Sequence, residues 1–151
     1  MSFGVTTGKT ATTVIQTGSF FPDLAVAEFL EIYRIPAEYA EALTADHLET
    51  AFMWAVKRTG KWVAERQGEG FANMREYPFL GIMGGAEKLF KRGVFCYAKA
   101  LLLQQFPSIE RRDAAKNDAK DAPETSEQFF AAAKKALAQL VGDTFVNVGA
   151  V

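Results

Sequence analysis

The chain has 151 residues, 49% of them hydrophobic and 23% charged, with a formal net charge of −1: one ordinary globular domain whose core needs no staple, with no global basic field for nucleic acid or anionic lipid. The single cysteine, Cys96, excludes an internal disulfide and fits a reducing compartment. No basic-then-apolar leader opens the sequence and no apolar run nears the ~20 residues that cross a bilayer, so a soluble chain made in the cytoplasm is expected.

The opening "SFGVTTGKTATT" imitates a phosphate-binding loop through Gly4, Gly8, Lys9 and Thr10. A working loop needs four residues between its glycines, a strand before it and a helix behind it. Here three residues intervene, and the following "TATTVIQT" is rich in β-branched residues, which favour an extended strand over a helix. Residues 1–22 therefore read as an extended N-terminal arm running into a strand. Gly18, Ser19 and Pro22 mark its end, and Asp23 is placed to cap a first helix, "LAVAEFLEIYRI".

Pro36 restarts the chain. "PAEYAEAL" is a short helix or the first turns of a longer one, and a long helix follows from Ala45 to about Gln67, with Thr44 as a candidate cap. Leu48, Ala51, Phe52, Ala55, Thr59, Trp62 and Val63 fall on its core side, while Trp54, Lys57, Arg58 and Lys61 fall opposite. A tryptophan among bases is either packed under its own domain or part of a subunit or partner interface. The glycine-rich stretch to Gly85 is a loop, or a loop with one turn of helix. A third helix, "AEKLFKRGVFCYAKALLLQQF", is stopped by Pro107, and its Gly93 marks a close helix crossing.

The connector "IERRDAAKNDAKDAP" has balanced charge and no apolar stripe. It is either a solvated loop or a loop facing DNA through Arg111, Arg112, Lys116 and Lys120. Thr125 and Gln128 form a capping-box pattern before the last helix, "SEQFFAAAKKALAQLV", which Gly142 ends. The final residues 143–151 carry one charge and look extended. Phe145, Val146 and Val148 are costly to leave in water, so Thr144–Val151 reads as an arm that docks on a partner. The fold class is mainly α: four to five helices (23–142) between two extended arms.

Catalytic and metal signatures are missing. One histidine, His47, beside Asp46 and Glu49 is too few ligands for a metal. Cys96 has no histidine near it in sequence and reads as a packed thiol. Neither an enzyme nor a bound cofactor is expected.

The ordered set "FFPD", "IPAEYAEAL", "LETAFMWAVKRTGKWVAERQ", "RRDAAKNDAKDAPET" and the short apolar tail resembles the head-completion (head-stabilisation) proteins of contractile-tailed bacteriophages, which belong with the helical head–tail adaptors. The resemblance spans roughly residues 20–151. It implies a virion protein of the head–tail neck, made in the host cytoplasm. Neighbouring copies would form a ring, typically dodecameric, beneath the portal protein. The ring would extend the channel for double-stranded DNA without reading its sequence, help retain packaged DNA and support the next neck or tail-terminator protein. The portal-docking tail would correspond to Thr144, Phe145, Val146, Asn147, Val148 and Val151, and the channel loop to Arg111–Lys120. The resemblance gives the Gly68–Gly85 stretch no role. The competing assignment is a small helical DNA-binding or regulatory module using the basic Trp54 face.

Overall fold

A computed structural model describes residues 11–18, 20–36, 38–106 and 124–142. It is mainly helical, as its sequence pattern requires. A two-residue strand β1 (Val14–Ile15) pairs antiparallel with β2 (Leu24–Ala25), Val14 opposite Ala25 and Ile15 opposite Leu24. Helix α1 (Val26–Ile32) follows directly, then α2 (Glu41–Gly68), a single 3₁₀ turn at Met74–Glu76, α3 (Gly85–Gln105) and α4 (Ser126–Val141).

Helix α3 is the central element. Its 21 residues include buried ones on every side, among them Phe90, Gly93, Val94, Ala98 and Leu102. Helix α2 runs antiparallel to it: His47 Nε2 lies 2.6 Å from Gln105 Oε1, and the Trp54 ring stacks on Tyr97 at 4.2 Å. Helix α4 is antiparallel to it as well, with Glu124 opposite Lys99, Phe130 opposite Tyr97 and Leu137 opposite Gly93. At Gly93 a Cβ would fall 2.6 Å from Leu137 Cδ2, so only glycine admits this approach.

The two local terminus signals of α4 are both present. The Thr125 side chain accepts from the Gln128 amide at 3.1 Å and the Gln128 side chain accepts from the Thr125 amide at 3.1 Å. Gly142 closes the helix in the left-handed conformation, φ 89°. Elsewhere the caps differ from expectation. Thr44 lies inside α2, buried, its hydroxyl bonded to Ala40 O at 3.1 Å; the helix begins four residues earlier because Glu41 fits its first turn. Asp23 accepts from the Thr17 amide at 3.1 Å instead of capping α1, since Leu24–Ala25 is strand. The described part of the N-terminal segment is held by its own chain. Phe20 is 1% exposed, and the Phe21 ring packs against Phe52 and Phe90. The uncharged Phe20, Phe21 and Pro22 thus belong to the core, where the sequence pattern indicates only an arm.

One buried charge ties three elements together. Two residues past α1, Arg34 takes a left-handed backbone, φ 53°, and Ile35 N donates to Leu30 O at 3.0 Å. Tyr33 O takes instead the Lys99 ammonium at 2.8 Å. Lys99, 1% exposed, also meets Glu124 Oε1 at 3.0 Å and lies 5.4 Å from the Phe129 ring centre. Losing Glu124's charge leaves the ammonium, among the described residues, with the Tyr33 carbonyl. Losing Lys99 leaves a half-exposed carboxylate that water can solvate. Glu124→Gln is expected to cost about 1–2 kcal/mol in urea unfolding, discounted for that exposure. Lys99→Met is expected to cost less than Glu124→Gln. The reverse order would show that this ammonium does not depend on Glu124.

Candidate docking surfaces

The antiparallel packing sorts the molecule into two ends, separated by the length of α3, about 31 Å at 1.5 Å per residue. At one end α3 stops at Gln105 and α4 begins at Ser126, so the connector leaves and returns there. At the other end lie the C-terminus of α2, the stretch 69–84, the N-terminus of α3 and the C-terminus of α4. The chain beyond Gly142 therefore departs from the end opposite the connector. Arg111, Arg112, Lys116 and Lys120, and Thr144, Phe145, Val146, Asn147, Val148 and Val151, themselves lie outside the described residues.

The stretch 69–84 is built, not slack. Arg66 holds its start, with its guanidinium about 5 Å from both the Trp62 and Tyr77 ring centres and Nη1 donating to the Tyr77 hydroxyl at 3.2 Å. Met74 is fully buried and its amide donates to Phe20 O at 2.8 Å. The Asn73 side chain accepts from Glu76 N at 3.0 Å, and Arg75 pairs with Glu87 of α3 at 3.2 Å. A tight hairpin then reverses the chain. Phe79 and Ile82 exchange both backbone hydrogen bonds, at 3.1 and 2.8 Å, around Leu80 (φ 51°) and Gly81 (φ 78°). Two positive φ values are the mark of the mirror-image turn that matches strand twist. The hairpin base is wedged on α3, where a Cβ at Gly85 would come within 3.2 Å of Phe79 Cβ. Its tip is apolar and open: Leu80 is 85% exposed, Ile82 64% and Met83 69%.

The basic face of α2 is partly spent on the fold. Trp54 is half-buried; its ring stacks on Tyr97, which in turn meets Phe130 edge-on at 5.1 Å. Arg58 lies 5.6 Å from the Trp54 ring centre, and Lys57, Arg58 and Lys61 are exposed. The four residues named from the sequence do form one face, with the tryptophan as its inner edge.

The described residues offer no catalytic constellation. His47 is bonded to Gln105. Burial pushes the Cys96 thiol above its usual range, and the same cause, with the neighbouring Cys96, raises the Tyr33 hydroxyl 3.9 Å away. A thiol so placed stays protonated at neutral pH and is a poor nucleophile. Among the described residues no group of three His, Cys, Asp or Glu is placed to hold a metal ion, and no helix is long and apolar enough to cross a membrane. A groove of about 310 Å³ between α1 and α3, lined by Glu28, Ile32, Tyr33, Lys88 and Arg92, is bridged by the Lys91–Glu28 ion pair at 3.2 Å.

The hairpin and the Lys99 cluster escape a reading of the sequence alone. "FLGI" lacks the Asn-Gly or Asp-Gly signal of such turns, and a lysine in "YAKALLL" carries no mark of burial. The one available hint was the apolar run "FLGIM" inside a glycine-rich loop.

Comparison with known proteins adds one finding. The family model of the phage head completion protein (GPL) matches residues 15–150. No curated protein and no solved structure is matched by the chain.

Proposed function

The chain belongs to the phage head completion protein family, and from that premise, which gives it a structural role in phage head assembly, we propose that it is the head–tail connector that sits beneath the portal. Copies of the chain assemble as a ring, dodecameric on this reading, that prolongs the DNA channel and helps retain the packaged duplex. The ring also offers a platform to the next neck or tail-terminator protein. Thr144–Val151 engages the portal protein, and the connector bearing Arg111, Arg112, Lys116 and Lys120 faces the channel. The exposed face of Lys57, Arg58 and Lys61 with Trp54 is a subunit or partner contact.

One observation supports the reading beyond family membership. The chain leaves α4 at one end of the bundle and enters the connector at the other, about 31 Å away along α3. A neck adaptor needs such polarity, because one end meets the portal and the other the next component. No catalytic step is part of this role.

The test is the mass of the protein alone and mixed with its portal protein, by light scattering after size exclusion. A ring, alone or on the portal, is the expected result. A monomer that ignores the portal overturns the assignment. Free duplex should bind weakly, with an affinity that neutralising Lys57, Arg58 and Lys61 leaves unchanged. A strong, salt-dependent affinity lost on neutralisation would identify a DNA-binding module instead.

A further inference from the structure

The tip of the 79–83 hairpin is a puzzle in folding terms. Leu80 occupies a left-handed backbone position that favours glycine, asparagine or aspartate over a residue such as leucine, and its side chain lies almost wholly in water. Glycine or asparagine would suit the backbone and a polar residue the solvent. Among the described residues nothing repays either cost. Ile82 and Met83 extend the same exposed surface. Local strain combined with exposed apolar surface is the pattern of a site kept for contact.

We propose that this hairpin is a second docking point at the end of the bundle from which the C-terminal stretch departs. Leu80, Ile82 and Met83 insert into an apolar recess of the protein that receives Thr144–Val151, the portal protein on the reading above, on which this inference rests. Three observations choose that occupant. The hairpin leads directly into the N-terminus of α3, and the antiparallel packing of α4 on α3 sets the C-terminus of α4 at that same end of the bundle. The described charges around its base, Arg75, Glu76, Glu87 and Lys88, balance, and Arg75 is already paired with Glu87. Such a rim has no excess of cations for lipid headgroups or nucleic acid, and suits a protein surface. Finally, the hairpin is braced by two backbone hydrogen bonds, the Gly85 contact and the buried Met74, so little conformational freedom is lost when it docks.

The experiment uses the full chain carrying Leu80→Asn and Met83→Gln. Asparagine tolerates the left-handed turn, so Tm should stay at or above that of the parent. Affinity for the portal protein should fall by at least ~30-fold, the loss expected of a hot spot. If the double variant is less stable, Leu80→Asn alone is the measurement of record. Parent and variant binding within threefold of each other overturns the hairpin assignment and leaves the adaptor reading standing. A parent that does not bind the portal at all sinks both. Two further results also overturn it: loss of self-association with portal binding intact, and parent-only flotation with phosphatidylcholine vesicles.

Discussion

Gly93→Val should unfold at markedly lower denaturant than the parent, while Gly60→Ala should unfold at slightly higher. Both glycines sit inside long helices, and a helix interior favours alanine over glycine by ~1 kcal/mol. The neighbours decide the sign. At Gly60 a Cβ meets nothing within 4 Å, so the helical gain of up to ~1 kcal/mol is realised. At Gly93 the Cβ would lie 2.6 Å from Leu137 Cδ2 and 2.8 Å from Cγ, and Leu137 is 2% exposed with little room to turn away. Valine adds two methyl groups on that Cβ. Overpacking of this kind costs typically 1–3 kcal/mol, and because Gly93 sits where α4 packs directly on α3, a net loss of about 2–3 kcal/mol is expected. For a chain of this size that is a fall in Tm of roughly 5–10 °C. Leu137→Ala should cost about 2–4 kcal/mol alone through the cavity it leaves. Combined with Gly93→Val it should cost at least ~1 kcal/mol less than the sum. Additive losses would mean that the two helices do not meet at Gly93.

What the sequence disclosed follows the range over which each signal acts. The Thr125–Gln128 box and Gly142 act across three or four residues, and both cap α4 as expected. Gly93 was legible as a crossing because a lone glycine in a helical stripe has few other uses. Phe20 and Phe21 were not legible. An apolar, uncharged stretch serves equally as arm or core, and the choice is made by Phe52 and Phe90, far along the chain. Trp54 was ambiguous for the same reason; its stacking partner, Tyr97, belongs to another helix. The hairpin was hidden for a different cause. Its turn uses a leucine where the backbone favours Asn, Asp or Gly, so the residue that gives the tip its apolar character also erases its local signature. Lys99 is buried only because a carbonyl at the end of α1 and a carboxylate before α4 converge on it.

Deleting Thr144–Val151 should weaken capture by the portal protein about 100-fold while leaving far-UV circular dichroism unchanged. The second half follows from how α4 ends. The Gly142 amide donates to Ala138 O at 3.0 Å and its left-handed φ closes the last turn, so no later residue is needed to terminate the helix. Its buried positions, Ala133, Ala136, Leu137 and Leu140, all precede the cut. The first half follows from surface. Burying Phe145, Val146 and Val148 contributes roughly 1.5–3 kcal/mol each, from which ordering an eight-residue segment removes roughly 2–5 kcal/mol. About 3 kcal/mol then survives, a loss of affinity near 100-fold on deletion. Phe145→Ser alone should forfeit the largest single share. Binding that persists within threefold after the deletion would remove the arm from the portal contact. A drop in helix content would show that the segment belongs to this chain's own core.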